Sequence, residues 1–177
     1  FIDDMQNFLL RGEFKDFTVK AGGREFKIHK IVLAARSKTF AEYLRNNENV
    51  DFMEIEDISA ENFERVMKFV QFERQPYAEN VPGVFVAAGK LQIEGLKVIP
   101  AKLMIASMEK EKDLEKLFKI LSMANEYEQE DLRLKAFERI KKRFPGRQLK
   151  DDLSVQLDKL KKIIDAQLML DEQFKEL

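Results

Sequence analysis

His29 is the only histidine in 177 residues, and cysteine is absent. A structural or catalytic zinc site draws three or four ligands from His, Cys and carboxylates, and a nucleophilic triad needs a base placed beside its Ser or Cys. A lone histidine supplies neither. Its position, between a strand-like run and a helix-like run, assigns it to a hydrogen bond at that junction. The acid pairs Asp3/Asp4, Glu54/Glu56 and Asp151/Asp152 could share a proton only in a pocket that drives their pKa values apart, and they sit instead among Lys and Arg on faces that read as solvated. No Walker loop, GxGxxG turn, GxSxG elbow or HExxH helix occurs. The reading is a non-enzymatic chain with no metal and no cofactor.

Charge narrows the partners further. The 31 basic and 32 acidic side chains leave a net charge of −1, so no overall field attracts nucleic acid. The one basic cluster, Lys141, Lys142, Arg143 and Arg147 around Phe144-Pro145-Gly146, reads as cations complementing the end of a helix rather than as a nucleic-acid contact. The longest apolar stretches, Val81–Gly89 and Val98–Met108, fall well short of the roughly 20 residues a spanning helix needs. Without cysteine or a signal peptide, the expectation is an intracellular protein, nuclear or cytoplasmic. The sequence begins with Phe, which reads as a piece of a longer chain.

The elements that would position any contact surface follow from periodicity. Phe17 and Val19 alternate with Thr18 and Lys20, and Phe26 and Ile28 with Lys27 and His29. Two half-buried strands therefore flank the Ala21-Gly22-Gly23 turn, where glycine tolerates the positive φ of a tight hairpin. From Ile31 the period changes: Ile31, Val32, Leu33, Ala34 and Ala35 predict a mostly buried helix, broken at Ser37 before a second piece with Phe40, Tyr43 and Leu44. Upstream, Phe1, Ile2, Met5, Phe8 and Leu9 predict an amphipathic helix ending at Gly12, with an apolar face wide for its length. Downstream come a polar loop at Asn46–Asn49, a third strand at Phe52–Ile55 with Met53 and Ile55 on one face, and a helix capped by Ser59 and buried through Phe63, Val66, Met67, Phe69 and Val70. A loop spans 73–83, and helices return at Val84–Leu91 and from Glu94, with Pro100 limiting or opening the second. Fifteen phenylalanines and no tryptophan read as core filling.

Beyond Met108 the pattern is charged and helical. Leu114, Leu117, Phe118, Leu121 and Ala124, then Leu132, Leu134, Ala136, Phe137 and Ile140, predict two amphipathic helices joined near Glu128–Glu130 and stopped by Pro145-Gly146. Val155, Leu160, Ile164, Leu168 and Phe174 suggest one or two more.

The string DFTVKAGGREFKIHKIVLAARSKTF, Asp16–Phe40, strongly resembles the core of the BTB/POZ domain: an Asp opening the first strand, a Gly-Gly hairpin, F-K-I-H-K, then V-L-A-A-R-S and Phe. The likeness extends through VFVAAGKLQIEGLKV, where Gly89 and Leu91 replace the usual Asp and Tyr. It looks most similar to the speckle-type POZ (MATH-BTB) group, whose members serve as substrate adaptors for cullin ubiquitin ligases. The resemblance implies an α+β fold, a small mixed sheet flanked by a cluster of helices. It assigns residues 1–108 to the BTB/POZ domain and 109–177 to a helical extension like the 3-box or BACK helices.

The resemblance also implies sites. Phe1, Met5, Phe8, Leu9 and Val32 match positions that the speckle-type group uses for homodimerisation; the competing reading packs them on the domain's own helices. A cullin or other partner would meet the loop region of Tyr43, Leu44, Asn47, Glu48, Val50 and Phe52. Adaptors of the family carry a hydrophobic-x-Glu motif there, and Glu42–Asp51 holds none. Phe40-Ala41-Glu42 and Phe52-Met53-Glu54 match the letters, at positions that align with core and strand. The expectation is a dimeric adaptor joining a substrate to a cullin-type E3 ligase. The alternative is a BTB scaffold without cullin binding that recruits another regulatory protein, in transcriptional or germline regulation.

Overall fold

Gly22 and Gly23, with φ of 52° and 79°, turn the chain between β1 (Phe17–Ala21) and β2 (Arg24–Ile28). In this computed structural model, which describes residues 2–47, 49–71, 80–143 and 162, the two strands pair antiparallel from Phe17↔Ile28 to Ala21↔Arg24. A Cβ on Gly22 would collide with the backbone nitrogen of Ala60, so this turn must be glycine for packing as well as for φ. The third strand, β3 (Phe52–Ile55), lies on the other side of β1 and runs parallel to it, Thr18↔Phe52 through Ala21↔Ile55. The order β2-β1-β3 places β1 at the centre of a three-stranded mixed sheet. Its inward residues Phe17, Val19 and Ala21 are buried accordingly.

The crossover from β2 to β3 consists of α2 (Lys30–Arg36) and α3 (Lys38–Asn46). Ser37 separates them and serves both sides of the break. Its Oγ accepts from Phe40 N at 3.1 Å, capping α3, and donates to the Leu91 carbonyl at 2.6 Å. The residue is 1% exposed, so both bonds form out of water, where losing a partner costs most. Phe40 closes edge-on against Phe17 with ring centroids 5.1 Å apart. Around that pair the core gathers Phe63, Val66 and Val70 of α4 (Ala60–Val70), Val84 of α5 (Val81–Lys90) and Leu96 of α6 (Glu94–Met108). Ser59 caps α4 as expected, accepting from Asn62 N. The N-terminal helix α1 (Ile2–Arg11) ends at Gly12, whose φ is 70°.

Four expectations are corrected. Ile31 is 77% exposed and Ala35 is exposed too; α2 buries Leu33 alone in full, because five consecutive apolar residues turning 100° each cannot all face one core. Phe14 and Phe52, 78% and 42% exposed, depart from the reading of phenylalanine as core. Leu134 is also exposed, on the outer side of its helix. Pro100 neither opens nor ends α6, which runs through it; the buried ring gives up the single bond its missing N–H would have made to Leu96.

The chain divides into two compact units, 1–103 and 104–177. In the second, α7 (Leu114–Glu126) and α8 (Glu130–Lys141) form a helical pair that buries Leu117, Leu121 and Ala124 with Leu132, Ala136, Phe137 and Ile140. The turn before α7 is built from carboxylates. Asp113 caps the helix by accepting from Glu115 and Lys116 N, and Glu111 accepts from the amides of Lys112 and Asp113, each at 2.9 Å. Those two amide bonds hold the Glu111 carboxyl below its ordinary pKa. From α8, Arg139 donates to the Glu111 carbonyl, and from just beyond it Arg143 donates to that of Lys112. Part of the basic cluster is thus engaged in tethering this turn. Asp151/Asp152, Arg147 and the helices expected within 155–177 lie outside the described residues.

Candidate interaction surfaces

His29 organises the first surface. Its side chain is 7% exposed, its Nε2 donates to the Glu13 carbonyl at 2.6 Å, and its Nδ1 is buried without a hydrogen-bond partner. The ring lies 6.1 Å from that of Phe8, centroid to centroid, and Phe8 stacks on Phe14 at 5.6 Å with planes 10° apart. A short aromatic ladder therefore runs from the buried histidine to an exposed ring. Beside it, Asp16 accepts from Lys30 N at 2.7 Å, which caps α2 in place of His29 and explains an acid at the opening of β1. Lys30 reaches the Val50 carbonyl at 2.6 Å while passing over the Phe17 ring.

Among the residues matched to a dimer contact, Met5 is 45% exposed, Phe8 is half-buried by the ladder, and Leu9 is buried at 5% within its own chain. Val32 is half-buried against the core. Phe1 lies outside the described residues. Phe14 and Ile31 enlarge this surface and were missed in the sequence. Phe14 sits between charged residues outside any periodic run, and Ile31 sits in a run whose other members face inward.

The second surface follows α3. Tyr43 and Leu44 are half-buried, with the Tyr43 hydroxyl donating to the Phe52 carbonyl at 3.4 Å. Asn47 turns back to donate to the Tyr43 carbonyl, and Val50 packs on the core. Glu48 lies outside the described residues. On the edge strand β3, Phe52 and Glu54 alternate with the more buried Met53 and Ile55, so the phenyl ring and the carboxylate share the outward face. Glu54 pairs with Lys20 at 2.9 Å, which raises the Lys20 pKa. Not far along the chain from α3, a groove of about 540 Å³ opens beside the Ser37 break, floored by Ala34, Ala41 and Phe69 and rimmed by Arg36, Lys38 and Arg45.

Among the described residues no three metal-ligating side chains gather, and no helix is long and apolar enough to cross a membrane.

Residues 5–108 match the BTB/POZ domain family. The chain belongs to that family, whose fold is a protein-interaction domain. It is 41% identical over 71 residues to BTB and MATH domain-containing protein 41 of Caenorhabditis elegans, a match covering 37% of this chain and 17% of that one. It is 32% identical over 99 residues to Kelch-like protein 40 of Homo sapiens, covering 55% and 16%. The matches thus span less than a fifth of either curated relative. The BTB domain of zebrafish PATZ1 superimposes with a TM-score of 0.51 at 24% identity, over 56% of this chain and 87% of that one. The α+β architecture is the BTB fold.

Proposed function

We propose that this chain is a dimeric, intracellular BTB adaptor that links a substrate to a cullin-type E3 ubiquitin ligase. Residues 1–108 act as the BTB domain and 109–177 as a 3-box or BACK-like extension. The observation that carries the reading is the outward face of β3. Phe52 and Glu54, set aside in the sequence because they fall in a strand, stand side by side toward solvent on an edge strand, in the hydrophobic-x-Glu order that the resembled adaptors use. Similarity to a BTB and MATH protein and to a Kelch-like protein supports the same class. The mechanism is geometric: a dimer doubles substrate and ligase sites and raises their effective concentration without chemistry in this chain.

Calorimetry against the N-terminal domain of a cullin partner tests it. Binding tighter than about 50 µM is expected. Removing a central anchor by Phe52→Ala should weaken it by roughly thirtyfold or more. Absence of binding at that concentration removes the adaptor reading. It leaves the second one, a BTB scaffold that recruits a different regulatory protein, which the engagement of Glu54 by Lys20 favours.

A further inference from the structure

Among the cations near the end of α8, Lys142 is left over. Arg139 and Arg143 hold the turn before α7, and Lys135 pairs with Glu138 at 3.1 Å. Lys142 is exposed and enters no ion pair among the described residues. It completes a stripe: Lys135, Arg139 and Lys142 recur at i, i+4 and i+7, so their cations share one side of α8 and its cap over about 10 Å. The stripe lines a cavity of about 240 Å³, to which the end of α6 contributes Ile105, Met108 and Glu109. Met108 is 3% exposed and Ile105 is half-buried, so the cavity pairs an apolar floor with a cationic wall. All of these residues belong to the second compact unit.

Arg139 is held in place with donors to spare. Its Nη2 donates to the Glu111 carbonyl at 3.2 Å, while its Nε is buried without a hydrogen-bond partner. A carboxylate that meets a guanidinium already fixed in this way loses little to side-chain ordering. Of the two acids on the lining, Glu138 is taken by Lys135, which leaves Glu109 alone against Arg139 and Lys142. We propose that this cavity docks an acidic amphipathic segment of a partner protein, seating one apolar side chain on Ile105 and Met108 and directing its carboxylates to Arg139 and Lys142. Size favours the side chains of a peptide, because cavities for drug-sized ligands begin near 300 Å³. The apolar floor and Glu109 disfavour a phosphate backbone, which brings charge and leaves the floor unfilled. A helix laid along α8 presents apolar and acidic side chains at the matching three- and four-residue spacings. This docking needs neither the dimer nor the ligase contact proposed above.

Fluorescence anisotropy on the full chain tests the site. The probe is a labelled helical peptide whose central leucine has one glutamate three residues before it and another four residues after it. Binding at about 10–100 µM that weakens as salt is raised is expected. Lys142→Glu should weaken it roughly tenfold, and lysine in place of one of the two glutamates should restore binding to that variant, which also shows the variant to be folded. Alanine in place of the leucine should weaken binding to the parent chain by a similar factor. No binding below about 1 mM, an unchanged affinity for Lys142→Glu, or equal binding of a peptide with lysine at both positions overturns the proposal. So does a single-stranded RNA that displaces the peptide and binds more tightly. A benzophenone side chain placed at Ile105 should capture the peptide on irradiation; capture of residues 151–177 of this chain in its place would identify an internal occupant and overturn the partner reading.

Discussion

Phe14 and Phe17 stand three residues apart and meet opposite fates. Phe17 is 3% exposed, locked edge-on against Phe40 beneath the sheet; Phe14 is 78% exposed, held in a left-handed turn and stacked outward on Phe8. Leu33 and Ile31 repeat the contrast on one helix, at 1% and 77%. An apolar side chain shows only that burial would be favourable. Which surface buries it, the chain's own core or another molecule, depends on the elements around it. The inward set, Phe17, Leu33, Phe40 and Phe63, defines the fold. The outward set, Met5, Phe14, Ile31 and Phe52, is what the fold presents.

Truncations on the two sides should separate by the widest margin. Phe40→Ala removes a fully buried ring and should cost about 3–5 kcal/mol in chemical denaturation, while Phe14→Ala should stay within about 0.5 kcal/mol. A comparable loss at Phe14 that does not change with protein concentration would mean that its ring supports the monomer after all. The hairpin glycines offer a finer division. Gly22→Ala drives a methyl into Ala60 N as well as straining φ and should cost about 2 kcal/mol or more, whereas Gly23, with open space around it, should cost about 1 kcal/mol. Equal melting shifts would show that the close approach to α4 is dispensable. Ser37→Ala unpairs the Leu91 carbonyl and uncaps Phe40 N, for an expected loss of about 1–3 kcal/mol in the same denaturation assay.

The smallest effect lies at the surface of α4. The Glu61 carboxyl is held below its ordinary pKa, first by its own backbone N–H and then by the Ser59 hydroxyl. A depressed acid contributes its stabilisation above the unfolded pKa and loses it as pH falls through the folded value. NMR titration should therefore place the Glu61 midpoint below that of an unstructured glutamate, and a midpoint at or above it would contradict the cap.

The β1–β2 hairpin, the Ser37 break and the Ser59 cap were legible in the sequence because each is local. Period-two alternation around Gly-Gly, a Ser interrupting a helical run, and a Ser before an apolar stripe all act within a few residues. The outward surface was only half legible. Met5 and Phe8 could be placed by helical spacing and family likeness, but Phe14 has no periodic neighbours, and the turn that holds it is tied through the Glu13 carbonyl to His29, sixteen residues beyond Glu13. Phe52 and Glu54 were visible as letters; that they share the outward face of an edge strand depends on β3 joining β1 in one particular register. The path of α6 through Pro100 was hidden for a related reason. Propensity counts the one bond that proline loses, and the burial that keeps the helix whole is tertiary.

The parallel pairing of β3 with β1 also sets an order of events in time. The β1–β2 hairpin closes through two glycines and can form in about 1–10 µs. β3 is separated from β1 along the chain by β2, α2 and α3, so its ladder closes a much longer loop than the hairpin does and is expected to form later. In stopped-flow experiments, Phe26→Ala should slow folding, and Met53→Ala should chiefly speed unfolding; the reverse assignment would mean that β3 belongs to the nucleus. The strand that carries Phe52 and Glu54 is then the last part of the sheet to arrive and the first to leave, and the lifetime of that surface is set by the edge rather than by the core.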